Sequence, residues 1–287
     1  MTSLFFWPLL VGLIVSVLGG SIGPLVVVKR IVFVSGSIAH SVLAGVGLFL
    51  YLERAVGLPM PPPIYGALLA AIVSALCISR AQQYFKERED SVIATVWAAG
   101  MAIGIILLSK TPGYTSEISS ILIGNLLWVS PQDALLLALL SFLCLLFILP
   151  NFQKLKLLLF DEDEAFLQGI ATTRLYEQLL ILVAISVVAL VQVVGIVLVM
   201  TMLTLPPLLA GLFCSHLSTM IAASIGLSMI CTISGLYSSY FLDWPVGATI
   251  ALSAIFFYGV GQVFRWGKVK FGKSGIRTHG TRKGTRP

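Results

Sequence analysis

Residues 29 to 47 read KRIVFVSGSIAHSVLAGVG, in which a basic pair ends one long apolar stretch and His40 lies early in the next. A helix rises about 1.5 Å per residue, so a helix running inward from Lys29 and Arg30 would place His40 roughly 15 Å from that edge, near the middle of a bilayer. An ionisable side chain at such a depth is costly. His40 is therefore a candidate functional residue.

The chain as a whole is unusually apolar. Of its 287 residues, 58% are hydrophobic and 10% are charged, and the mean hydropathy is +1.01. These values exclude an ordinary water-soluble domain. The apolar runs are about 18 to 25 residues long and do not alternate as membrane-crossing strands would. We therefore expect an all-α polytopic membrane protein.

Nine apolar segments are long enough to cross a bilayer: 4–28, 37–56, 64–81, 91–110, 132–150, 176–193, 195–213, 219–241 and 245–264. Merging the two segments that flank the short polar gap at Gln192 to Gly195 would give eight helices instead. Segment 118–129 is interrupted by Gly124 and Asn125, so we expect a partial or interfacial helix there. Pro206-Pro207 is expected to break the segment 195–213 inside the membrane.

The distribution of basic residues predicts the orientation. With the N-terminus outside and nine spans, all of the 18 lysines and arginines except Arg54 and Lys110 fall on the inner side. This asymmetry is typical of cytoplasmic loops. Eight spans would put the basic tail outside, so nine are preferred, with the C-terminus in the cytoplasm.

Small and sulfur-containing residues predict packing. The pairs Gly19/Gly23 and Gly100/Gly104 have the four-residue spacing that lets helix backbones approach, although membrane helices are rich in glycine generally. The cysteines lie within apolar runs and show no CxxC spacing. We expect all of them to be buried free thiols: Cys77, Cys144, Cys214 and Cys231.

The loop 150–175 contains the stretch FDEDEAFLQG, in which an acidic opening is followed by an Ala-Phe-Leu patch and Gly169. Acidic residues favour a helix start, and glycine is a common stop. The pattern predicts a short amphipathic helix across the cytoplasmic face, serving either as a solvated connector or as a docking helix for a soluble partner.

The final stretch, from residue 267 to 287, reads as a disordered basic tail in contact with anionic lipid. It contains the P-loop pattern from Gly267 to Ser274 but lacks the strand and helix that a phosphate cradle needs, so nucleotide binding is not expected. No nucleophile, acid–base pair or metal cage of clear spacing is found elsewhere in the sequence. Asp243 follows the segment 219–241, either as a helix-end residue or at a cation entrance.

Five stretches resemble, in the same order, the permease subunits of zinc, manganese and iron ABC importers. They are the Arg30 to Gly45 region around His40-Ser41, IGNLLWVSPQD at 123–133, FDEDEAFLQG at 160–169, VVGIVLVMTMLTLPPLLA at 193–210 and GLYSSYFLDWPVGATIAL at 235–252. The resemblance extends over nearly the whole chain to about residue 264.

The resemblance implies a vitamin B12-importer-like permease fold over residues 1–266 in a bacterial inner or plasma membrane. It implies a second permease copy, identical or paralogous, around a central pathway, with a cytoplasmic ABC ATPase and an extracytoplasmic metal-binding protein as partners. The cargo would be a divalent transition metal ion that is not held as a stable cofactor, and no nucleic-acid partner is expected. The permease would have no ATPase site of its own.

Two other functions remain open at this point. A permease for metal chelates or siderophores would have a wider pathway without a ligating histidine. An ion-coupled secondary transporter would need intramembrane carboxylates, and the predicted spans contain essentially none away from their ends.

Carried over residue by residue, His40 matches a pathway histidine whose usual companion is an aspartate four residues earlier, a position held here by Gly36. A neutral imidazole alone still suits transition metals better than Mg²⁺ or Ca²⁺. The segment 160–172 matches the coupling helix that binds the ATPase. Its expected docking residues are Asp161, Glu164, Ala165 and Gly169.

Overall fold

The computed structural model describes residues 2–85, 89–113, 124, 126 and 129–274. Within these residues the chain is helical and contains no strand, which confirms the all-α prediction. We number the helices in chain order: α1 Thr2–Val28, α2 Val32–Arg54, α3 Pro63–Phe85, α4 Glu89–Ser109, α5 Pro131–Phe160, α6 Glu162–Leu167, α7 Thr172–Gly211, α8 Leu217–Leu242 and α9 Val246–Ser274.

Eight of the described helices are long and apolar enough to cross a membrane. The exception is α6, which has six residues. The count of eight takes α7 as one helix, but the non-helical residue Gly195 divides it. Gly195 lies at the boundary between the predicted segments 176–193 and 195–213, so the two parts of α7 correspond to those two segments of the nine-span prediction.

Two contacts of α1 define the ends of the helix bundle. At one end, Trp7 Nε1 donates a hydrogen bond to the carbonyl of Val129, just before α5 begins. At the other end, Lys29 Nζ reaches the carbonyl of Leu158 near the end of α5, at 3.2 Å. We call these the Trp7 end and the Lys29 end. Helices α1 and α5 therefore run in the same direction.

Helix α7 consists of two legs that meet at Gly195, where φ is 77° and ψ is 164°. As one straight helix its 40 residues would extend about 60 Å, twice the thickness of the hydrocarbon layer. The first leg reaches the Trp7 end, where Gln192 Nε2 donates to Asp133 Oδ1 at 2.9 Å. The second leg returns, since Leu203 and Pro207 lie against Gly23 near the Lys29 end.

The predicted break at Pro206-Pro207 is wrong, because both prolines lie inside the helical second leg of α7. Proline removes one helical N–H and usually kinks a helix. Here Pro207 and the carbonyl of Leu203 face Gly23, whose missing side chain leaves room for the ring and for the carbonyl that lost its partner. The interruption falls instead at Gly195, where the positive φ is one that glycine adopts without strain.

Close helix contacts occur at both predicted glycine pairs. A Cβ on Gly100 would lie 2.6 Å from Ser41 Cα, and one on Gly104 would lie 2.7 Å from the carbonyl carbon of Leu43. A Cβ on Gly23 would lie 2.8 Å from the Leu203 carbonyl oxygen, and one on Gly19 would meet Met202 Cβ at 3.4 Å. Both pairs are packing faces, and the Gly100/Gly104 face holds α4 against α2.

The prediction for the cysteines is correct only in part. All four are free, and Cys144 and Cys231 are buried, but Cys77 is exposed and Cys214 is partly exposed. An apolar sequence does not distinguish a core-facing from a lipid-facing position, because both surroundings are apolar.

Two predictions fall on residues that are wholly or mostly undescribed. The partial helix at 118–129 lies outside the described residues except for positions 124, 126 and 129. Helix α9 continues to Ser274, and residues 275–287 lie outside the described part. The disorder and lipid contact of the tail stay predictions.

Candidate functional site

His40 lies on α2, about 12 Å along the helix axis from Val32. Its surroundings are small and buried: Ser37, Ala39 and Ser41 are all largely inaccessible. Ser37 Oγ donates to the carbonyl of Ile93 on α4 at 3.0 Å. These short side chains let α4 approach α2 closely, and the imidazole is partly buried between the two helices.

The imidazole of His40 is stacked on the indole of Trp97, with ring centroids 4.6 Å apart and planes inclined by 15°. Trp97 Nε1 in turn donates to Met101 Sδ at 3.2 Å. Stacking fixes the plane of the histidine ring without using either of its nitrogens. His40 Nδ1 is buried and has no hydrogen-bond partner within the described part of the chain, so a ring nitrogen remains uncommitted.

Position 36, one helical turn before His40, is filled by a side chain from another helix. A Cβ on Gly36 would lie 2.8 Å from Met200 Cε and 3.2 Å from Met200 Sδ. Met200 belongs to the second leg of α7, and its thioether occupies the space that a side chain at position 36 would need. An indole therefore lies against His40 itself, and a thioether lies against position 36, one turn before it.

No set of three or more His, Cys, Asp or Glu residues that could hold a metal ion occurs among the residues that the structure describes. A resident divalent ion generally needs several such ligands. A single imidazole nitrogen provides one coordination bond.

Asp243 lies far from His40, at the Trp7 end. It caps the C-terminus of α8 in a left-handed conformation with φ 52°, and its backbone N–H donates to the carbonyl of Ser239. The side chain is exposed. The structure therefore supports the helix-end reading of Asp243 and does not bring it together with His40.

The short helix expected between residues 160 and 172 is α6. Asp161 is its N-cap, and Asp161 Oδ1 accepts a hydrogen bond from the backbone N–H of Glu164 at 2.9 Å. Glu164 Oε1 accepts from Gln168 Nε2 at 2.7 Å. Gly169 ends the turn with φ 78°, a conformation that favours glycine. The predicted start and stop residues thus perform those roles.

The two faces of α6 differ sharply. Ala165 is completely buried, while Phe166 and Leu167 are 70% and 79% exposed. The nearby acidic side chains of Asp161, Asp163 and Glu164 are exposed as well. An exposed apolar pair on a short acidic turn is a surface suited to a protein partner.

Sequence reasoning missed three residues that the structure places at these sites. Trp97 and Met200 lie inside apolar spans, where nothing distinguishes them from lipid-facing residues. In the sequence Lys29 is recognisable only as part of a basic pair, but in the structure its ammonium group contacts Glu162 of α6 at 2.7 Å. The one available signal was that Lys29 ends an apolar run, where a long cation can reach a neighbouring loop.

Comparison with known proteins places the chain in a family. The model of the ABC 3 transport family matches residues 1–265. A probable metal transport system membrane protein of Chlamydia trachomatis is 42% identical over 87% of this chain and 85% of its own length. The manganese transport system membrane protein MntC of Halalkalibacterium halodurans is 30% identical over 84% of this chain and 80% of its own length.

Solved structures agree with the sequence comparison. PsaBC from Streptococcus pneumoniae, solved in complex with a Fab, contains a chain with a TM-score of 0.78 and 25% identity, covering 91% of this chain and 95% of that one. The helical permease fold predicted from the sequence is thereby confirmed. The chain is a multi-pass membrane protein that belongs to the ABC 3 transport family of permeases.

Proposed function

We propose that this chain is the membrane-spanning subunit of an ATP-driven importer of divalent transition metal ions, with zinc, manganese and ferrous iron as candidate cargo. The observation that carries the proposal is the family match over residues 1–265, joined by relatives named for the transport of metal and of manganese. The metal is a passing substrate. The subunit hydrolyses no ATP itself and takes its energy from a partner ATPase.

His40 supplies the transient pathway contact in this proposal. The stacked Trp97 ring holds the imidazole in one plane, and Nδ1 has no competing hydrogen bond within the described residues. Imidazole nitrogen suits zinc, iron and other transition metals, whereas Mg²⁺ and Ca²⁺ prefer oxygen. With a single bond to the protein, the ion is released readily. Asp243 has a weaker role, as an exposed carboxylate at the entrance.

Helix α6 is the proposed docking surface for the ATPase. Phe166 and Leu167 would enter an apolar groove, while Asp161 and Glu164 contact its rim. Buried Ala165 anchors the turn to the permease, and Gly169 ends it. A protein partner stabilises this arrangement because it covers two large apolar side chains that are now exposed.

The same assignment orients the molecule. The ATPase binds at the Lys29 end, so that end faces the cytoplasm, and the extracytoplasmic metal-binding protein docks at the Trp7 end. The N-terminus is then outside and the C-terminus inside, as the basic residues favour. A second permease copy, identical or paralogous, completes the pathway, and the basic tail contacts lipid.

The orientation has a direct test. In a cysteine-free background, Val56→Cys and Lys156→Cys each introduce one thiol at an exposed position, at opposite ends of the bundle. A membrane-impermeant maleimide applied to intact cells should label position 56 once any outer barrier is removed, and should label position 156 only after the inner membrane is opened. Labelling of position 156 in sealed cells would contradict the proposed topology.

The cargo and the role of His40 are tested by uptake. We would reconstitute the permease with its genomically adjacent ATPase and binding protein and compare wild type, His40→Ala and His216→Ala. His216 is exposed at the start of α8 and serves as the matched loss of an imidazole. We expect ATP-dependent uptake of a transition metal that falls for His40→Ala alone. Equal uptake by both variants would contradict the role given to His40.

A further inference from the structure

Three segments of the chain meet at the side chain of Lys29. Its ammonium group lies 2.7 Å from Glu162 Oε2 on α6 and 3.2 Å from the carbonyl oxygen of Leu158 on α5. It also lies 5.6 Å from the centre of the Tyr176 ring on α7. A lysine ammonium has three N–H donors, and here it contacts two oxygen acceptors and an aromatic face.

This ion pair differs from an ordinary surface pair in its burial. The Lys29 side chain is only 18% exposed, while Glu162 is 55% exposed. A solvated pair is usually worth little, because water screens it and both side chains must be ordered. Lys29 is already held by the carbonyl and the ring, so its charge is fixed in position before Glu162 binds it.

Within the described part of the chain, the helices that pack most extensively against α6 are its chain neighbours α5 and α7. The Lys29 to Glu162 bond instead joins α6 to residues far away in sequence, at the junction of α1 and α2. A displacement of α6 therefore pulls on that junction through this bond.

The junction between α1 and α2 is short and well ordered. Ile31 N–H donates to the carbonyl of Val26 at 2.9 Å, and Arg30 N–H donates to that of Val27 at 3.1 Å. Arg30 has φ 64°, so the turn closes in the left-handed manner common at helix ends. Helix α2 begins at Val32. Only Arg30 and Ile31 separate Lys29 from the first residue of α2, the helix that carries His40, and the backbone N–H groups of both are hydrogen-bonded to α1.

We infer that the Lys29–Glu162 ion pair transmits movement of the α6 docking helix to α2, and through α2 to His40. Lys29 and Glu162 are positioning residues in this account, since neither touches the ion. The inference rests on the proposed function, in which α6 moves with a partner ATPase. It adds one specific contact, the Lys29–Glu162 ion pair, as the connection between the docking surface and the transport pathway.

The first test uses uptake per ATP hydrolysed in the reconstituted complex. Lys29→Met keeps an unbranched side chain one atom shorter and removes its charge, and Glu162→Gln keeps the shape of the acid and removes its charge. The matched controls are Lys156→Met on α5 and Glu53→Gln on α2, both exposed. We expect each pair variant to hydrolyse ATP but import about tenfold less metal per ATP, a loss within the usual range of coupling between sites.

The double variant Lys29→Met/Glu162→Gln separates transmission through the pair from separate damage at each residue. If both side chains act through their one contact, the double variant should lose no more uptake per ATP than either single variant, because that contact is already broken. Wild-type coupling in Lys29→Met would overturn the inference. So would losses that multiply in the double variant.

A second readout does not depend on the cargo. We would measure amide hydrogen exchange of residues 28–35 before and after the ATPase binds. Binding should change exchange there in the wild type and in Lys156→Met but not in Lys29→Met. An equal change in all three overturns the inference. If the wild-type complex imports no metal although this exchange pattern holds, the proposed cargo fails and the mechanical connection stands.

Discussion

Replacing Asp161 by alanine tests how the docking helix is held. Asp161 Oδ1 accepts the hydrogen bond from the Glu164 N–H at 2.9 Å, and α6 has only six residues. Helices this short are unstable alone. Loss of an N-cap costs about 1 kcal/mol. If the ATPase binds only the folded turn, its dissociation constant should rise by up to about fivefold, the full factor applying where the uncapped turn is mostly unfolded in the free permease.

The assay is ATPase binding to permease in nanodiscs, measured by biolayer interferometry at fixed ionic strength. Asp161→Asn is the matched control, because asparagine caps helices about as well as aspartate. Because it keeps the cap and removes only the charge of this rim residue, it should bind the ATPase more tightly than Asp161→Ala does. If asparagine weakens binding as much as alanine does, the aspartate acts through its charge and the capping argument is refuted.

Three further predictions concern local geometry. Gly169→Ala should weaken ATPase binding in the same assay, because alanine at φ 78° is strained although nothing lies within 4 Å of the new Cβ. Gly104→Leu should lower the melting temperature in detergent by several degrees, because the new side chain overpacks the contact with α2 at a cost of about 1 to 3 kcal/mol. Gly226→Leu should leave the melting temperature unchanged, because nothing lies within 4 Å of a Cβ at that position. Ser130→Ala should lower the melting temperature slightly, since Ser130 Oγ accepts from the Asp133 N–H at the start of α5. Unchanged ATPase binding by Gly169→Ala would contradict the first argument. Unchanged melting temperatures of Gly104→Leu or Ser130→Ala, measured by circular dichroism, would contradict the second or the third.

The positions of the helices could be predicted from hydropathy, because a membrane span is recognised by the length and the apolar composition of its segment. The segment predicted at 219–241 is Leu217–Leu242 in the structure. The segment predicted at 132–150 is much longer, since α5 continues to Phe160. It continues past Pro150 because the residues that follow keep an apolar stripe, with Leu155, Leu158 and Leu159 buried.

The reversal of chain direction within α7 could be predicted in part from the sequence. The polar gap at Gln192 and Gly195 was the correct place, and the Gln192 to Asp133 bond shows why a polar side chain occurs there. The prolines were misleading, because a proline pair in sequence says nothing about the neighbour that accommodates it. Gly23 on α1 supplies that space, and no local pattern contains that information.

The candidate site was predictable only in its polar members. His40 and the α6 residues stand out because charged and polar groups are rare in this chain. The residues that pack around this part of α2 do not stand out, since Trp97 and Met200 are ordinary residues of apolar spans. Their roles depend on helix rotation, which packing decides and which hydropathy does not report.

ATP hydrolysis by the assembled complex tests the central claim most directly. We would measure hydrolysis with and without the metal-loaded binding protein, for wild type and for Glu164→Arg, which reverses a charge on the docking helix. The account predicts that a transition metal on the binding protein stimulates hydrolysis in the wild type and that Glu164→Arg abolishes the stimulation. If no ATPase associates with the chain and transport follows an ion gradient instead, the account is wrong.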